Sequence, residues 1–146
     1  MPQEEHVSDQ PRAVPETAFF GRTYGEAMSL LAEARDYLAH REPADRQHLV
    51  PLDRLRLACE TTRLTARLTQ IMAWLLAQRA VHSGEITQED ALGDHQALAA
   101  FDVCMDGEAT ETTGLPRDFV DLLDRSRRLY IRVARLDELA RRQLVD

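Results

Sequence analysis

The sequence predicts an all-α fold, an antiparallel three-helix bundle with long second and third helices. Three observations predict it. Alanine, leucine, glutamate and arginine supply 69 of the 146 residues, a composition typical of long-helix proteins. Valine, isoleucine and the aromatic residues, which favour strands, are few. Apolar residues recur every three or four positions over three separate stretches, the period of a helix and not of a strand. The length suits one domain.

Residues 1–20 hold Pro2, Pro11 and Pro15 among polar residues, with one arginine against four carboxylates and no period. They read as a flexible N-terminal tail ahead of a single domain over residues 21–146. The first helix starts near Thr23, which stands at capping-box spacing from Glu26. Tyr24, Ala27, Met28, Leu31, Ala34 and Leu38 then form one stripe. Pro43 ends it by pushing the preceding residue out of helical geometry.

The second helix begins at Pro51, a favoured first-turn residue, and runs to about Ser83, where Gly84 supplies a stop. At 1.5 Å per residue it is roughly 50 Å long. Steps of 100° put Leu57, Leu64, Leu68, Ile71 and Leu75 on one apolar face. A second face carries Leu55, Ala58, Thr62, Thr65, Thr69, Met72, Leu76 and Ala80. A helix with two apolar faces buries both. One small bundle cannot cover the second, so self-association follows, with Thr62, Thr65, Ala66 and Thr69 as candidate dimer-interface residues.

Residues 85–114 form an acidic connecting segment with eight carboxylates and no basic residue. Thr87 caps a short helix through Leu92, Ala97 to Val103 suits a further helical turn, and Gly107 to Gly114 reads as an exposed loop. The third helix follows Leu115-Pro116. Phe119, Leu122, Ser126, Leu129, Val133, Leu136, Ala140 and Gln143 step by three and four as a heptad seam, widened by Leu123 and Tyr130. Its carboxylates, Asp118, Asp121, Asp124, Asp137 and Glu138, alternate with arginines in the manner of a solvated face.

The net charge of −7 and the isoelectric point near 5.2 disfavour nucleic acid as a partner. The longest apolar run, Ile71 to Ala77, is too short to span a membrane. No secretory signal opens the chain, and two cysteines form no disulfide framework, so a cytoplasmic setting is expected. Cys59 reads as a small core residue. Cys104 lies between Asp102 and Asp106, which oppose thiolate formation. The five histidines make no zinc spacing, and Asp36 with His40 reads as a surface pair near a helix end. The scattered glycines make no phosphate loop. No catalytic residue, metal or cofactor is therefore expected.

Charge is segregated along the chain. The second helix is net basic, the segment after it strongly acidic, and the third helix again net basic. On the second helix Arg56, Arg63, Arg67 and Trp74 share an arc of about 40° that lies on neither apolar face. Arginine and tryptophan are the residues of interface centres, so this arc is a candidate partner-binding stripe. A second account keeps Trp74 inside its own chain, as a staple beneath the acidic segment or the N-terminal tail.

The run from Glu60 to Gln70 (ETTRLTARLTQ) is followed by Ala73-Trp74-Leu75-Leu76, Arg79-Ala80-Val81 and Gly84-Glu85-Ile86. With Ser126 to Tyr130 (SRRLY), Arg132-Val133 and Arg135-Leu136-Asp137, it resembles the alphaproteobacterial "regulator of CtrA degradation" (RcdA) family, also catalogued as a domain of unknown function. The resemblance covers residues 19–146 and is most specific in the second helix; residues 93–114 take no part. It implies a three-helix bundle that dimerises and has no catalytic centre. It implies an adaptor that helps a ClpXP-type AAA+ protease degrade selected proteins, such as cell-cycle transcription regulators. The partners would be a second copy, the protease complex and its cargo. The alternative is a helical dimeric interaction module in signalling or cell-cycle control, unrelated to proteolysis. An enzyme with a pocket between its helices is a third reading.

Overall fold

In a computed structural model of the chain, the backbone of residues 13–93 and 114–145 is described, with side chains from Phe20 onward. Five helices occupy these residues: α1 (Ala13–His40), α2 (Glu42–Gln47), α3 (Pro51–His82), α4 (Gln88–Gly93) and α5 (Arg117–Val145). The described residues include no strand.

The ends of α3 follow from its sequence. Pro51 stands in the first turn behind an extended Val50 at ψ 155°, where its missing N–H leaves no gap in the helix ladder. At the other end Gly84 takes φ +80°. Its N–H donates to the Val81 carbonyl at 3.1 Å, while the Glu85 N–H donates to Ala80 at 2.9 Å. That pair is a Schellman cap, and the left-handed conformation it needs is open to glycine. Thr87 caps α4 as its position predicts, its Oγ1 accepting from the Asp90 N–H at 3.0 Å.

Two features of α1 and α2 differ from expectation. α1 starts at Ala13, ten residues before Thr23, which lies within the helix and is buried. Pro15 sits in the first turn, where a helix tolerates it. Residues 1–12 of the expected tail lie outside the described residues. α2 was not expected. Pro43 ends α1 and at once opens α2, with Glu42 and Asp45 in the first turn of α2, a favourable place for carboxylates. No α2 residue is buried, so no apolar period announces it.

The topology corrects the expected antiparallel bundle. α1 does run against both long helices. The Phe20 ring lies 5.4 Å from His82 at the far end of α3, and the α1 residues Arg41, Glu33 and Glu26 pair with Asp118, Arg125 and Arg132 of α5 in reverse order. α3 and α5, however, are parallel. Arg67 reaches Leu123 and Ser126, and Trp74 reaches Asp137. A Cβ on Gly114 would come within 2.9 Å of Asp53. The numbers rise together along both helices. The chain between Gly93 and Gly114 therefore joins opposite ends of the bundle. The helical turn expected at Ala97 to Val103, the loop to Thr113 and Cys104 lie outside the described residues.

The core sits between the three long helices. Leu57, Leu64, Leu68, Ile71 and Leu75 of α3 are all buried, as the first apolar face predicts, against Phe119, Leu122, Leu123, Ser126, Leu129, Tyr130 and Val133 of α5. α1 contributes Ala27, Leu30, Ala34 and Tyr37, and leaves Met28 and Leu31 exposed. Its buried face is thus turned by about one residue from the expected stripe. Cys59 is exposed and not a core residue, because it points away from both helices that pack on α3.

Candidate partner-binding surfaces

The arc of Arg56, Arg63, Arg67 and Trp74 faces α5. Arg67 is 2 % exposed; its guanidinium donates to the Leu123 carbonyl at 3.1 Å and to Ser126 Oγ at 3.2 Å. Arg63 pairs with the buried carboxylate of Glu60, and Arg56 with Asp53 at 3.1 Å. Trp74 is half-buried and donates its indole N–H to Asp137 Oδ1 at 3.0 Å. Asp137 in turn accepts from Arg141, which donates to the Leu92 carbonyl at the end of α4. The 100° arithmetic groups the four residues correctly, and the group lies against the chain's own fifth helix. A buried guanidinium needs a full set of acceptors, which the α5 backbone and Ser126 help to supply.

Sequence reasoning missed Glu60, Asp137 and Arg141 as members of this seam. The reading of Asp137 as part of a solvated face is corrected, since it is 3 % exposed.

The other face of α3 is open. Thr62, Thr65 and Thr69 are exposed, and Ala66 is partly buried against the core. The three threonines donate their hydroxyls to Ala58, Thr61 and Thr65 carbonyls one turn back, at 3.1, 2.9 and 2.8 Å. With the hydroxyls so engaged, the methyl groups face outward and the stripe behaves as an apolar surface. It borders a groove of about 550 Å³ between α1 and α3, whose walls include Leu31, Leu38, Leu68, Met72 and Leu76. Leu55, Met28 and Leu76 extend the patch at 61, 41 and 50 % exposure.

A group of titratable side chains with displaced proton affinity lies where α1 meets α2 and α5. The Arg125 guanidinium, hydrogen-bonded to Glu33 at 3.1 Å, holds that carboxyl below the usual carboxylate range and is itself raised. Burial, and then its hydrogen bond to Asp45 at 2.8 Å, push the Tyr37 hydroxyl above the usual phenol range. In each case the charge or hydroxyl is tied to a structural partner. Asp36 pairs with Arg35 at 3.3 Å. Among the described residues no three histidine, cysteine, aspartate or glutamate side chains converge as a metal site. None of the described helices is long and apolar enough to cross a membrane.

Comparison with known proteins matches residues 12–146 to the family described as "Protein of unknown function (DUF1465)". The fold is similar to the crystal structure of RcdA from Caulobacter crescentus CB15, with a TM-score of 0.69 and 38 % identity. The alignment covers 83 % of this chain and 89 % of that one. A search of curated proteins finds no match.

Proposed function

The chain belongs to the RcdA family, described as DUF1465, and from that premise we propose that it is a non-enzymatic adaptor. It helps a ClpXP-type AAA+ protease degrade selected regulatory proteins in the cytoplasm. The observation that carries this reading is the 38 % identity to RcdA across 83 % of the chain, far more than a shared helical fold requires. The acting form is a homodimer joined across the open α1–α3 face. Its exposed Leu31, Leu55 and Leu76 and backbone-bonded threonines give a second copy an apolar, close-approach surface.

The test has two parts. Immobilised full-length protein is used to capture partners from a lysate of the source organism, and the half-lives of the captured regulators are measured with and without the chain. The expected result is an unfoldase subunit among the partners, and half-lives that lengthen at least several-fold when the chain is removed. Captured regulators with unchanged half-lives would replace this reading with an interaction module outside proteolysis.

A further inference from the structure

We propose that the arginine face of α5 beside α1 is a docking surface for an acidic segment of a partner protein, one that carries an apolar side chain between two carboxylates. This goes beyond the adaptor reading and does not depend on it. Glu26 of α1 and Arg125, Arg128, Ile131, Arg132 and Arg135 of α5 line an open cleft of about 660 Å³. Arg22, exposed one turn before Glu26 on the same side of α1, adds a further positive charge at its rim.

The cations of this cleft outnumber the carboxylates that reach them. Arg125 pairs with Glu33 and Asp121, and Arg132 pairs with Glu26 at 2.7 Å. Arg128 and Arg135 are exposed and have no carboxylate partner among the described residues. The sequence explains the difference. Farther along α5, Arg141 and Arg142 each meet a carboxylate one turn back, Asp137 and Glu138. One turn before Arg135 stands Ile131 instead, and one turn before Arg128 Asp124 gives only its backbone carbonyl, at 3.4 Å. Like charges left on neighbouring turns repel one another. An acidic partner relieves that repulsion and adds attraction of its own.

The spacing sets the chemistry of the occupant. Arg128 and Arg135 are two turns apart, about 10 Å along the helix axis, with half-buried Ile131 between them. Two carboxylates at that distance meet both guanidinium forks, and an apolar side chain between them covers Ile131. The net charge of −7 weighs against nucleic acid on the same arginines. The chain's own acidic segment leaves and returns elsewhere. The Leu92 carbonyl is held by Arg141, roughly 130° round α5 from Arg128 and Arg135, and Gly114 stands beside Asp53 of α3.

The test titrates the full-length protein with a fluorescent peptide in which a central leucine is flanked by glutamates. Binding that weakens steeply with added salt is expected, with backbone NMR shifts centred on Ile131 and Arg135. Arg128→Glu combined with Arg135→Glu should weaken it at least about tenfold. Both positions are exposed, so helical content and mass should stay unchanged. Lysine at both positions should keep part of the affinity that glutamate removes. Arg46→Glu combined with Arg54→Glu makes the same change of charge at exposed positions far from the cleft, and should leave the affinity as it is. Equal losses in the two glutamate pairs would overturn the proposal, since net charge alone would then set the affinity. So would equal binding of a peptide with serine in place of the leucine, shifts centred on another face, or tighter binding of a DNA oligonucleotide than of the peptide.

Discussion

Arg67 and Ser126 form a small polar knot inside an apolar seam. Ser126 Oγ donates to the Leu123 carbonyl at 2.9 Å as well as accepting from Arg67. Removing only the arginine strips the carbonyl and the hydroxyl of their charged donor and leaves a void. Arg67→Ala should cost about 3 kcal/mol of stability. Arg67→Met combined with Ser126→Ala should cost less than Arg67→Ala, because the methionine fills the void and no hydroxyl is left without its charged donor. Denaturant melts of the three variants check this, and a double variant no better than Arg67→Ala would refute it. Trp74→Ala removes a half-buried indole and one of the donors to buried Asp137. It should lower the melting temperature by roughly 10 °C, with helical content retained below the transition. The place of Asp137 was legible in principle: it stands seven residues after Tyr130 and fourteen after Leu123, both on the apolar seam. The alternation of arginines and carboxylates hid that spacing. A tryptophan's own contribution is ambiguous from sequence, because its ring suits a core and its N–H suits an edge.

At the scale of elements, the three ion pairs between α1 and α5 set how those helices meet. Asp118, Arg125 and Arg132 are spaced by seven and face Arg41, Glu33 and Glu26. They are half-exposed, so each contributes little stability in water. Glu33 has its carboxyl held low by Arg125. A lowered carboxylate contributes stability above its unfolded range and loses it as pH falls through roughly 5 to 3. Glu33→Gln should therefore flatten the acid loss of stability over that window. It should cost well under about 1 kcal/mol at pH 7, and 1 M salt should shrink the difference further. Thermal melts of both proteins across pH 3 to 7 measure it, and parallel pH profiles would refute it. Terminators were the most legible part of these elements: Pro51, Gly84 and Thr87 act where their backbone chemistry says they should. α2 was illegible because it buries nothing, and the start of α1 because a proline in a first turn resembles a proline in a tail. Relative direction was illegible too, since a 3.6-residue period tells which side of a helix is buried and not which way its neighbour points.

Among the described residues, α3 has one face closed by α5 and another that is exposed beside α1. The α1–α3 face should close against a second copy, giving a mass near 33 kDa from two chains of 16.6 kDa by light scattering at micromolar concentration. Thr65→Glu and Leu76→Arg fall on exposed positions, so each should return the mass of one chain with unchanged helical content. A mass of one chain in the wild type would refute this. The second apolar face of α3 was legible in the sequence because its threonines keep helical spacing. The groove beside it was not, because α1 turns its buried face toward Leu30 and Tyr37 and so leaves Met28 and Leu31 outside.

The parallel pairing of α3 and α5 fixes an order of assembly. Asp53 and Gly114 are 61 residues apart in the chain, Arg67 and Leu123 56, Trp74 and Asp137 63, so the interval stays long from one end of the pair to the other. α1 and α3 instead fold back through α2, so their contacts near the turn close short loops. Loop-closure entropy falls on α5, which gains its contacts with α3 only after a long excursion. The α1–α3 hairpin should form in the folding transition state and α5 should join afterwards. Leu57→Ala should then slow folding, while Val133→Ala should mainly speed unfolding. Under mild denaturant the α5 amides should exchange as one cooperative unit, ahead of the buried amides of α3.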